Sequence, residues 1–182
     1  MKPGAIPRIA GYQHGRQAPR IVRADAKGTP VMIDLQPRPF TDDAAITRIG
    51  EGLLDRGLPR ADWTHEAHLA ACLYLLRDRV DIDVDARIDQ IIRGYNEAVG
   101  GVNDDHQGYH ETITRVFVHG VRLFLSGRPA GEPLAEAVNG LLASRYGRRD
   151  WPLGFYSPER LFSVSARRDF VAPDLAPLPP LC

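Results

Sequence analysis

Two histidines three residues apart, His65 and His68, stand at the head of the apolar run in DWTHEAHLAACLYLL. At i and i+3 of a helix two side chains share one face, with Cβ atoms roughly 5–6 Å apart, so both imidazoles can reach one ion above it. Neutral imidazole is the commonest protein metal ligand. Five of the six histidines, His65, His68, His106, His110 and His119, fall within 55 consecutive residues. The segment GYHETITR brings His110 and Glu111, and the loop GGVNDDHQG before it brings Asn103, Asp104, Asp105 and His106. If two helix starts meet, His65, His68, His110 and Glu111 supply three nitrogens and a carboxylate. That donor set suits a transition metal, catalytic zinc or non-haem iron, with one position left open.

Other polar residues crowd the same stretch. Tyr95, Asn96 and Glu97 close one apolar-periodic segment and Tyr109 opens the next, around a glycine-rich loop. Such a mouth can orient a small substrate by hydrogen bonds through Asn96, Asn103 and Arg115, with Tyr95, Tyr109 or Glu111 moving a proton. Each residue also has a plain structural reading. The histidine pair can bond backbone carbonyls or water, and Glu111 can pair with Arg115 at i+4. Asn96 and Glu97 can cap a helix end, and Tyr95 can sit half-buried in a core. His119 follows His110 by nine residues, which turns it to the opposite helical face. Cys72 lies one turn beyond His68, where a thiolate ligand or nucleophile is conceivable, but Ala70, Ala71 and Leu73 around it favour an inert buried thiol. Arg148, Arg149 and Arg160 hold either an anion or the nearby Asp150 and Glu159.

Two familiar patterns fail on spacing. HEAH is one residue short of HExxH, whose i, i+4 histidines set both ligand directions around the glutamate. NDDHQG starts like a calcium loop with Gly108 sixth, but its twelfth position is Thr114 where a bidentate Glu is required.

The elements that must position these residues follow from periodicity. The chain has 182 residues, 43% hydrophobic and 25% charged, with 23 basic and 23 acidic side chains. This is enough for one core, and the even balance gives no pull toward nucleic acid or an anionic membrane, so a small-molecule substrate is the expected partner. Two cysteines with no framework spacing indicate a reducing compartment, and no apolar signal or spanning run is present, so the expected location is cytoplasmic. Residues 1–40 are rich in Pro, Gly and Arg and read as an extended arm, with a small hairpin where Ile21, Val22, Val31 and Ile33 flank Lys27-Gly28. Residues 41–182 read as a single helical domain.

Ile46, Ile49, Leu53 and Leu54 mark a first helix from about Thr41, stopped by Gly57. A second runs from about Trp63 to Asp78, capped by Asp62 or Thr64, with Leu69, Cys72, Leu73 and Leu76 inward. A third spans Asp85 to Val99, a fourth starts near Tyr109, and a fifth covers Glu132 to Tyr146. A short helix with Ser157 as cap and Pro158 at its first position precedes a Pro-rich tail. The fold class is therefore all-α, a bundle of about five helices.

WTHEAHL, YNEAVG, GYHETITR and FYSPERLFS, with the PDLAPL tail, together resemble an uncharacterised family of short bacterial all-helical proteins, over about Phe40 to Leu178. The resemblance implies the helical fold and no particular activity. From the residues themselves the leading expectation is a small metal-dependent enzyme, hydrolase or lyase, working at a bundle mouth. The competing expectation is a non-catalytic helical module that uses a metal-free His/Tyr pocket to bind a ligand or a partner.

Overall fold

A computed structural model describes the backbone of Ile21–Ala24 and Pro30–Ile33, and residues 39–181 in full. The chain divides into two units, Met1–Gln36 and Pro37–Cys182. In the first, β1 (Ile21–Ala24) and β2 (Pro30–Ile33) pair antiparallel with Ile21 opposite Ile33, as the apolar residues around Lys27-Gly28 predict. Apart from Pro39 and Phe40, the second of which bonds the Asn139 side chain through its backbone, the rest of the expected arm and Cys182 lie outside the described residues.

The second unit is all-α. It contains α1 (Asp43–Leu54), α2 (His65–Arg77), α3 (Val84–Ala98), α4 (Glu111–Leu125) and α5 (Leu134–Ala143), followed by the short α6 (Pro158–Leu161) and α7 (Val164–Arg168). No helix among the described residues is long and apolar enough to cross a membrane.

Helix α2 is the centre, and its sequence says why: from Leu69 to Leu75 every residue is buried, beyond the one-sided stripe expected. It packs against α1, α4 and α5. Leu53, Leu69, Leu73, Val121, Val138 and Leu141 are almost fully enclosed, and truncating any such leucine to Ala costs about 2–5 kcal/mol. A second cluster forms where Val116 of α4 meets Trp151, Tyr156 and Leu161, with Val171 and Leu178 of the tail against it. The tail is thus a strap. Thr112 Oγ1 donates to the Asp169 carbonyl and accepts from Val171 N–H, and His119 Nε2 donates to the Pro179 carbonyl at 2.7 Å.

Caps set where the helices start. Asp42, Thr64, Asp83 and His110 each accept a backbone N–H from their own helix, satisfying donors that the first turn leaves open. Helix α5 follows Pro133 with no cap of its own, and Asp43 of α1 supplies one by accepting from Ala135 N–H at 2.7 Å. Three boundaries differ from expectation for physical reasons. The left-handed residue after α1 is Arg56, at φ 66°, while Gly57 N–H bonds the Asp55 carboxylate. Helix α5 ends at Ala143 because Ser144 is extended and caps a separate 3-10 turn, Arg145–Gly147. Helix α4 begins at Glu111, with His110 outside it as the cap, because His110 is itself extended.

Candidate functional site

Thr64 decides the geometry of the first histidine pair. Its hydroxyl caps α2 by accepting from Ala67 N–H, and its carbonyl accepts a 2.6 Å hydrogen bond from His68. A carbonyl takes only a donor, so the His68 proton sits on Nδ1 and the Nε2 lone pair is free. No described residue bonds Nε2. The ring stacks on Trp63 with centroids 3.8 Å apart. The His68 side chain is exposed at the surface, while the atoms packed around its ring still strip solvation that a charge needs. That desolvation pushes its pKa down to about 4, with the neighbouring His65 and Arg149 adding to the shift against the Thr64 carbonyl. The imidazole is therefore neutral at physiological pH. A position in the first turns of α2, at the positive end of the helix dipole, favours the same state.

His65 uses the other nitrogen. Its Nε2 donates to the Gly147 carbonyl at 2.8 Å, and its ring meets Phe117 edge-on. Burial, only partly offset by that carbonyl, lowers its pKa as well.

Two adjoining chambers lie beside this pair. The first, about 480 Å³, runs between α2, α3 and α4 and has apolar walls from Leu69, Ile88, Ile92 and Phe117, with Thr64, His65, His68 and Arg149 as polar groups. The second, about 420 Å³, is lined by Arg60, Tyr95, Asn96, Tyr109 and His110 among others. Trp63, His68, Ile92, Ile113 and Thr114 line both, so the stacked Trp63–His68 pair stands where the chambers join. Cys72 also lines the first, where burial raises its thiol to about 12, which makes it wall and not nucleophile.

The expected cluster divides. His68, Tyr95, Asn96, Tyr109 and His110 do share the second chamber. Among the described residues, however, no group of three or more His, Cys, Asp or Glu side chains is gathered in a metal-holding arrangement. His110 Nδ1 accepts from Ile113 N–H as the α4 cap, which places its proton on the buried Nε2. Burial first, then Arg167, lower its pKa. Glu111 receives Arg115 Nε at 2.6 Å and the Tyr109 hydroxyl at 2.7 Å. Arg115 also donates to the Asp85 carbonyl, tying α4 to the start of α3. Burial, with Glu111 as acceptor, raises the Tyr109 pKa.

Asn103 organises its loop. Its Oδ1 accepts from Asn96 Nδ2 and Tyr109 N–H, while its Nδ2 donates to the Arg93 carbonyl and the Glu97 carboxylate. Tyr95 is fully enclosed, and its hydroxyl has no partner among the described residues. Trp63, Thr114 and Arg60 carried no signal of spacing or motif. The one clue in the sequence was Trp63 placed just before a cap.

The sequence matches no protein-family model, no curated protein and no solved structure.

Proposed function

We propose that the protein binds one small, mostly apolar molecule that carries a proton-donating group, with His68 Nε2 accepting that proton in a hydrogen bond. The observation that carries this reading is the His68 Nδ1–H bond to the Thr64 carbonyl, which leaves Nε2 unbonded on a residue that lines an apolar cavity of ligand size. A base whose pKa lies near 4 abstracts protons poorly at neutral pH, so recognition ranks ahead of general-base turnover.

A metal-dependent hydrolase or lyase, with zinc or iron on His65, His68, His110 and Glu111, is the second reading. One observation favours it: an Nδ1–H anchored on a carbonyl, as in His68, is how metal-binding histidines are often oriented. It ranks second because His110 and Glu111 are each engaged by their own helix.

The test uses 3-(4-hydroxyphenyl)propan-1-ol and 3-phenylpropan-1-ol, which differ by one phenolic hydroxyl, titrated by calorimetry and amide NMR. The phenol is expected to bind at 1:1 with shifts at Trp63 and Ile113, and about fivefold tighter than its partner, the value of one neutral hydrogen bond. In His68→Leu that advantage disappears, and Ile113→Trp blocks both compounds. No saturable binding, or an advantage that survives His68→Leu, overturns the proposal.

A further inference from the structure

Helix α4 lies between two structures that use different sides of it. Thr112, Val116 and His119, spaced i, i+4 and i+7, share one face, and all three meet the Pro-rich strap or the second core that it completes. Ile113, Thr114, Phe117 and Val118 lie on the other side, and all four line the first chamber. Two of these belong to both neighbourhoods. Ile113 and Phe117 line the chamber and also pack on the cluster that receives Val171 and Leu178, so the helix is a common wall of strap and cavity.

The strap itself is built to lift and return. Residues 170–181 form no helix or strand, and Pro173, Pro177, Pro179 and Pro180 have no N–H to donate. Its ties to α4 are local. The fully buried Thr112 donates to the Asp169 carbonyl at 2.8 Å and accepts from Val171 N–H at 3.1 Å, His119 holds the Pro179 carbonyl, and Val171 and Leu178 pack on the cluster around Val116. A segment joined in this way opens locally without unfolding the rest. The prolines keep the lifted chain extended, so it gains little disorder and redocks at little entropic cost.

Resting on the binding reading above, we propose that the strap regulates the chambers through α4: strap and ligand favour the same placement of the helix, so each tightens the hold of the other. A ligand in the first chamber packs on Ile113 and Phe117 from the inner side. The strap fixes the same two side chains from the outer side, through the second core. A ligand that orders this shared wall lowers the cost of docking the strap, and a docked strap lowers the cost of ordering the wall for the ligand. The two effects are equal in free energy, because coupling between two equilibria is reciprocal. Whatever draws the strap off α4 therefore favours release of the ligand.

The test uses the full chain and 3-(4-hydroxyphenyl)propan-1-ol, with amide hydrogen exchange and calorimetry. At saturation the strap amides of Val171, bonded to Thr112, and Leu175, bonded to the Phe155 carbonyl, are expected to exchange about fivefold more slowly, the low end of the usual coupling range. The Ala135 amide, at the start of α5, a helix that lines neither chamber, is expected to stay unchanged. Thr112→Val removes both bonds of the hydroxyl and Leu178→Ala shortens a side chain packed on the second core. Each is expected to speed exchange at Leu175 and to weaken the compound about two- to fivefold. Lower global stability alone leaves the dissociation constant of the folded chain unchanged, so this weakening reports coupling. Strap amides that do not respond to the compound, or variants in which Leu175 exchanges faster while the affinity stays at that of the unaltered chain, overturn the coupling and leave the cavity reading standing. Absence of binding to the unaltered chain overturns the cavity reading and this inference with it.

Discussion

A histidine stands beside a cavity at the start of both α2 and α4, inside the first helix and as the cap outside the second, and the two starts put it to opposite uses. At α2 a threonine hydroxyl caps the helix, so His65 and His68 are released into the wall of the chambers. At α4 the histidine is the cap, its ring nitrogen spent on Ile113 N–H, and Glu111 is spent on Arg115 and Tyr109. His68, one turn into α2, keeps an unbonded ring nitrogen, whereas His110 spends one on the start of its own helix. The residue that caps, more than the residue that follows, determines the difference.

Breaking the α2 arrangement from behind has the largest expected effect. A methyl at Gly147 would meet the Leu141 carbonyl and approach Leu142 Cα to 2.7 Å, backbone atoms with little room to give. Gly147→Ala should therefore cost about 2–3 kcal/mol in urea unfolding and displace the carbonyl that holds His65. Next comes the direct contrast. His110→Ala should cost about 1–2 kcal/mol, the worth of a cap with some lost packing, and His110→Asn should recover part of it. His68→Ala should change stability at pH 7 by less than about 1 kcal/mol, because its side chain is exposed. Equal costs for the two alanine variants would break the comparison.

Acid sharpens it. His68 titrates near 4 in the folded chain and near 6.5 unfolded, so between those values the unfolded chain binds more protons. Stability is then fully present above about pH 6.5 and is lost as pH falls toward 4. His65 and His110, whose pKa values are also lowered, add to the same slope. Urea midpoints at pH 7.5, 6 and 5 should fall in that order, and His68→Gln should flatten the trend. The smallest expected effect is that of metal: zinc should raise the unfolding free energy by less than about 0.5 kcal/mol. A rise of several kcal/mol that both His65→Ala and His110→Ala abolish would instead restore the metalloenzyme reading.

The fold was legible where periodicity and caps carry it. Thr64, Ser157 and Pro158 mark helix starts in the structure as their residue types predict. The hidden parts depend on contacts between distant residues. Nothing in the order of residues tells that Asp43 caps α5, or that the Pro-rich tail returns to α4 through Thr112 and His119. The same limit applies to the site. Spacing correctly put His65 and His68 on α2 and brought Tyr95, Tyr109 and His110 to one mouth. It did not reveal that Thr64 and Gly147 carbonyls would fix the two tautomers, or that Arg60 would line the second chamber. A carbonyl 82 residues away leaves no local trace.

The most direct test of the account is a pH titration of the histidine rings by NMR, with His68 assigned through His68→Gln. The account predicts a neutral Nδ1–H tautomer at pH 7 and a midpoint near 4, displaced on addition of 3-(4-hydroxyphenyl)propan-1-ol. A midpoint at or above the ordinary histidine value, or a proton on Nε2, would contradict it.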